Sequence, residues 1–77
     1  MTALKHGVAT EDIGCAMSVP LVDILLERHF NKYLLIGFDL NGNLLEIMYN
    51  MVDGDTANIF HAIKCRKEFY KYIPGRL

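Results

Sequence analysis

The chain has no tryptophan, two cysteines and two prolines. It also has no apolar run near the ~18 residues of a membrane-crossing helix. Residues 21–26 are interrupted by Asp23, and Tyr33–Phe38 is too short. Cys15 and Cys65 are far apart and outside any C-x-x-C. That argues against a disulfide framework and a zinc site, and makes a reducing cytoplasm the expected compartment. His6, Glu11 and Asp12 stand where a secretory leader would need apolar residues, so no leader is expected. There is no G-x-G-x-x-G, no P-loop and no serine–histidine–aspartate arrangement. His6, His29 and His61 lack metal-ligand spacing. Asp39, Asn41 and Asn43 are set like a calcium loop, but the glycine and the glutamate such a loop needs are misplaced or missing. The expectation is therefore no metal and no cofactor.

What the chain does have is apolar residues, 52% of 77, with a mean hydropathy of +0.18. Residues 1–77 make a single domain. A core of this size supplies only ~3–5 kcal/mol of net stability. So apolar a small chain should leave apolar surface for a partner or a second copy to cover. A homodimer or a hetero-oligomer is expected. The net charge is −1, but it is polarised. Lys64, Arg66, Lys67, Lys71 and Arg76 face only Glu68 within residues 61–77, while the rest of the chain is acidic. A local positive field therefore survives an acidic total. The bland alternative is a solvated face whose cations suit a helix end.

Thr10-Glu11-Asp12 reads as a helix start, with threonine as the cap and the acids at the positive end of the dipole. Ile13, Ala16 and Met17 make its apolar stripe, and Pro20 stops it. Residues 21–26 read as a strand, and Tyr33–Phe38 as a second, with Gly37 marking a bulge or a close backbone approach. Asp39-Leu40-Asn41-Gly42-Asn43 is a hairpin loop. Leu44–Met51 is the third strand, with Leu45, Ile47, Tyr49 and Met51 on one face and Glu46 and Asn50 on the other. Asp53-Gly54-Asp55 turns the chain into a fourth strand, residues 56–60. From Ala62 the period becomes helical: Ala62, Cys65, Phe69 and Ile73 form a stripe that Pro74-Gly75 ends. The fold class is thus α+β: a short N-terminal helix, a four-stranded antiparallel meander and a C-terminal helix packed on the sheet. Leu35, Leu45, Ile47, Ile59, Cys65 and Phe69 are expected in one core between sheet and helices.

On this reading His61 sits at a strand-to-helix junction, with Lys64 and Arg66 within a turn and a half. Histidine carries protons near neutral pH, and lysine and arginine stabilise charge at a phosphate. RNA cleavage needs those parts: a base for the 2′-hydroxyl, a cation for the phosphorane and an acid for the leaving oxygen. His61, Lys64 and Arg66 are the candidate catalytic residues. Lys67 and Lys71 share a helix face with Lys64, and Tyr70 beside them offers a ring on which an unpaired base can stack. Lys67, Lys71 and Tyr70 are the candidate RNA-binding residues. A histidine that merely caps or packs at the junction is the competing reading.

The order KHGV, EDI, KYLLIGFDLNGNLLEIMY and IFHAIKCRKEFYKY resembles the BrnT-like toxin proteins of bacteria over roughly residues 4–73. It is most similar to a subgroup with LIG-x-D-x-x-G-x-LLE-V and HAM-x-x-R-x-KF/Y patterns. The resemblance implies a RelE-like fold, a curved antiparallel sheet with helices against one face. It also implies the toxin of a type II toxin–antitoxin pair, which cleaves RNA, blocks translation and is held inactive by a protein antitoxin. In such proteins the basic residues around the last strand and final helix carry the presumed activity, and these match Lys64, Lys67 and Arg66. His61-Ala62-Ile63-Lys64-Cys65 stands where better-known members have S-A-R-K-A. That thinned basic set and a pI near 6.2 fit a second class of function, a non-catalytic interaction protein on the same fold.

Overall fold

The computed structural model describes residues 7–26 and 30–75. His6 and His29 lie outside them. The order of elements is α1 (Thr10–Ser18), β1 (Val22–Leu25), β2 (Tyr33–Phe38), β3 (Leu44–Met51), β4 (Ala57–Lys64) and a short 3-10 segment (Lys67–Tyr72). The strands form one antiparallel sheet in the order β1-β2-β3-β4.

The helix starts where the acids are, but Thr10 does not cap it. Ala9 occupies the cap position, and its carbonyl accepts the N–H groups of Asp12 (3.1 Å) and Ile13 (3.2 Å). Asp12 instead accepts the Leu40 N–H at 3.1 Å, tying α1 to the hairpin. Ile13 and Ala16 are buried and Met17 packs beside them, as their spacing predicts. The hairpin loop also forms as expected. Asp39 Oδ1 accepts the N–H groups of Asn41 and Asn43, both at 2.8 Å, and Gly42 takes a φ of +82°. Those backbone bonds lead in holding the Asp39 carboxyl below its ordinary value.

Gly37 marks a close approach. Its missing side chain leaves room for the backbone of Ala16: a Cβ there would collide with the Ala16 carbonyl oxygen and stand 3.0 Å from its C and Cα. The helix therefore lies directly on β2. On the same face Tyr49 stacks on Tyr33 at 5.1 Å between centroids. The Tyr49 hydroxyl reaches across to donate to Asp23 Oδ1 at 2.6 Å.

Two expectations need correction. The chain does not turn helical at Ala62. β4 runs on to Lys64, and only six residues of 3-10 helix follow. The strand also carries a bulge. Met48 pairs with His61 but Tyr49 with Ile59, so Phe60 is an extra residue in β4. Ile59 and Ala62 then lie on the α1 face, whereas Cys65, Phe69 and Ile73, the rest of the helical stripe, pack on the other face. Ladder pairing with β3 overrides that local pattern.

The single core is the second correction. Leu35, Leu45, Ile47 and Ile59 pack with α1 on one face of the sheet. Cys65 and Phe69 belong to a second cluster on the other face, with Val22, Leu34, Ile36 and Ile73. β2 is buried on both sides, which explains its unbroken apolar run. Among the described residues no helix is long and apolar enough to cross a membrane.

Candidate functional site

Leu44, Glu46 and Met48 alternate onto the second face of β3, away from α1. Leu44 and Met48 join the second apolar cluster, so Glu46 between them is buried, with 0% exposure. A bare carboxylate there would be costly, and the chain surrounds it with donors. Arg66 gives its backbone N–H to Oε1 at 2.8 Å. Its Nε lies 3.2 Å from Oε1 and 3.1 Å from Oε2, and its Nη2 donates to Oε2 at 2.8 Å. His61, opposite Met48 on the neighbouring strand, brings Nε2 to 2.9 Å from Oε2.

Glu46 thus joins a strand histidine to the arginine that opens the 3-10 segment. Burial pushes its carboxyl up, but the Arg66 side chain, the Arg66 N–H, the His61 ring and the Arg66 charge together hold it below its ordinary 4.5. The same bond to Glu46 raises the Arg66 guanidinium above its usual range. Arg66 also lies over Phe69, 5.1 Å from the ring centroid, and Nη1 is 4.0 Å from Glu68. Half of its side chain remains exposed, and about a fifth of that of His61. Burial, with help from the Glu46 charge, pushes the neighbouring Cys65 thiol up to about 11. It is a thiol at neutral pH, not a nucleophile.

A carboxyl held low stabilises the fold only while ionised. Its contribution is complete above about pH 4.5 and is lost as the pH falls through the lowered native value. Asp39 and Asp53, also held low by turn hydrogen bonds, act in the same direction. Urea unfolding followed from pH 7 to 3 should show a falling midpoint below about pH 4.5, and Glu46→Gln should flatten part of that fall.

The candidate residues are only partly brought together. His61 lies within β4 rather than at a junction, and Arg66 meets it through Glu46. Lys64 pairs with Leu45, so the register puts it on the α1 side, opposite His61. Lys67 and Lys71 are exposed on the 3-10 segment, and Tyr70 packs against the second cluster. The expected lysine face Lys64-Lys67-Lys71 does not form, because Lys64 is in a strand. Among the described residues no three histidine, cysteine or acidic side chains converge as a metal-ligand set.

No protein-family model, curated protein or solved structure matches the chain. Sequence reasoning missed Glu46. The alternation places it on the face away from Leu45 and gives it no role. The available signal was the company it keeps, Leu44 and Met48 on the same face, which marks that face as covered.

Proposed function

We propose that this chain is a small metal-free ribonuclease of the toxin type, on a RelE-like sheet, acting in the cytoplasm and restrained by a protein antitoxin. The observation that carries this reading is the contact of His61 with the buried Glu46 carboxylate, beside the half-exposed Arg66. An imidazole oriented by a fixed carboxylate can take the proton of a ribose 2′-hydroxyl. The freed oxygen attacks phosphorus to close a 2′,3′-cyclic phosphate, and the bond to the 5′-oxygen breaks, the leaving oxygen taking its proton from water. The exposed side of Arg66 stabilises charge on the phosphoryl oxygens. Lys67 and Lys71 supply positive charge along the same segment for RNA binding.

Induced expression without an antitoxin should arrest growth and degrade RNA. His61→Ala should abolish both while the protein remains folded, a loss of at least ~100-fold in cleavage for removal of a proton-transfer group. Growth and RNA left intact by the wild-type chain would defeat the nuclease reading.

One observation favours the second reading, a non-catalytic interaction protein. The guanidinium fork of Arg66 is already engaged by Glu46, so the cluster serves as a latch holding the 3-10 segment to the sheet. On that reading the association surface, as a homodimer or with another protein, is the function. His61→Ala would then change complex formation or stability and leave RNA untouched.

A further inference from the structure

The antiparallel meander puts the β1–β2 loop and the β3–β4 turn at one end of the sheet and the β2–β3 hairpin at the other. The first end exposes apolar side chains together: Phe30 is 97% exposed, Val52 66% and Leu25 52%. The loop that carries Phe30 is tied to the sheet. Asn31 takes a φ of +55°, and its side-chain amide donates to the Met51 carbonyl at 2.8 Å and accepts the Met51 N–H at 2.9 Å. The residue after Phe30 is thus clamped in the left-handed region, which asparagine tolerates, while the ring itself stays uncovered. Grouped apolar exposure of this kind marks an interaction surface, and a lone aromatic side chain is a common anchor.

The other end offers a place for such a ring. An open cleft of about 320 Å³ lies beside the hairpin, with Phe38, Leu44, Cys65 and Tyr70 as its apolar wall. Leu44, Cys65 and Tyr70 belong to the second cluster, so the cleft opens on that face of the sheet. The Lys64 backbone borders it, but the register sends the Lys64 side chain toward α1. The volume is at the small end of ligand sites, ~300–1,000 Å³, and suits one large side chain. Two rings, a leucine and a thiol that is uncharged at neutral pH are favourable surroundings for an aromatic ring.

The two ends are also complementary in charge. Asp53 and Asp55 are exposed in the turn beside Val52, while Lys32 is drawn over the Phe60 ring, 5.9 Å from its centroid. The 3-10 segment that brings Tyr70 to the cleft carries Lys67 and Lys71, both exposed, and its Glu68 lies 4.0 Å from Arg66. Asp39, at the hairpin, turns its carboxylate to Asn41 and Asn43. Packing Phe30 on the Phe30 of a second copy would set Asp53 and Asp55 of both chains against each other, which opposes a contact between like ends.

We propose that the chain associates head to tail with a second copy of itself, the Phe30 ring of one seated in the cleft between Phe38 and Tyr70 of the next. Unlike ends make a heterologous contact, which continues into a ring or a filament instead of closing as a twofold dimer. The proposal depends on neither reading of the function.

The test separates the plug from the cleft. Phe30→Ser removes the plug at a position that supports nothing in its own chain. Phe38→Asp puts a charge in the cleft wall at a strand end that is 39% exposed. A contact centred on one aromatic anchor is weak, so light scattering of the wild-type chain should show a mass rising past the dimer between ~0.1 and ~1 mM. Each variant alone should remain a monomer. Their equimolar mixture should stop at a heterodimer, because it has one working plug and one working cleft. In that mixture the amide resonances of Gly42, Asn43, Cys65 and Tyr70 of labelled Phe30→Ser should shift. If Phe38→Asp does not fold, unlabelled wild type added to labelled Phe30→Ser should give the same shifts. A wild-type chain that is monomeric throughout that range, Phe30→Ser that associates as wild type does, or shifts that miss the cleft would overturn the proposal.

Discussion

Glu46→Ala should destabilise the chain by ~3 kcal/mol, through several charge-assisted hydrogen bonds and the cavity left behind. That is comparable to the whole stability expected of a domain this small. Glu46 is fully buried and accepts from a backbone N–H, a guanidinium and an imidazole. Without it, Arg66 can turn to water, but its backbone N–H and the 3-10 segment lose their anchor. Arg66→Ala should be worse, because it strands the buried carboxylate with fewer donors. The double variant should lose little more than Glu46→Ala alone, since both remove one interaction. Urea unfolding of the three variants checks this. Additive losses would show that the two side chains act independently and that the latch is not real.

Gly37→Ala is the second large effect. The added methyl group would enter the backbone of Ala16, not the flexible end of a side chain. Neither β2, paired on both edges, nor α1 can yield by a small shift. Overpacking of this kind costs ~1–3 kcal/mol, and the backbone contact places it at the upper end. Thermal unfolding should show a drop in Tm of ten degrees or more, using ~4–8 °C per kcal/mol for small domains. Gly54→Ala, with nothing within 4 Å of the added atom, is the control and should leave Tm nearly unchanged.

Much of the fold was legible because its signals are local. Asn41-Gly42 between apolar strands, the alternation of Leu45, Ile47 and Tyr49, and the acids opening α1 each specify their own stretch. Gly37 was legible as a place of close approach, though not that Ala16 would be the neighbour. β4 was misread because Ala62, Cys65, Phe69 and Ile73 have a helical spacing, and its bulge at Phe60 left no local mark. A bulge depends on the partner strand, which local periodicity cannot see. The single expected core split in two for a related reason. Cys65 and Phe69 return on the far side of the sheet, and their spacing does not say which face they cover. The site was half legible. His61 and Arg66 stood out by chemistry and do meet, but through Glu46, whose burial depends on the segment that folds over it.

The most direct test of the account is cleavage of a 5′-labelled single-stranded RNA by the purified chain in excess EDTA, beside His61→Asn with a matched unfolding midpoint. The account predicts fragments ending in 2′,3′-cyclic phosphate from the wild-type chain and none from the variant. Intact RNA with both proteins, or equal cleavage by both, would contradict the assignment of proton transfer to the His61–Glu46 pair.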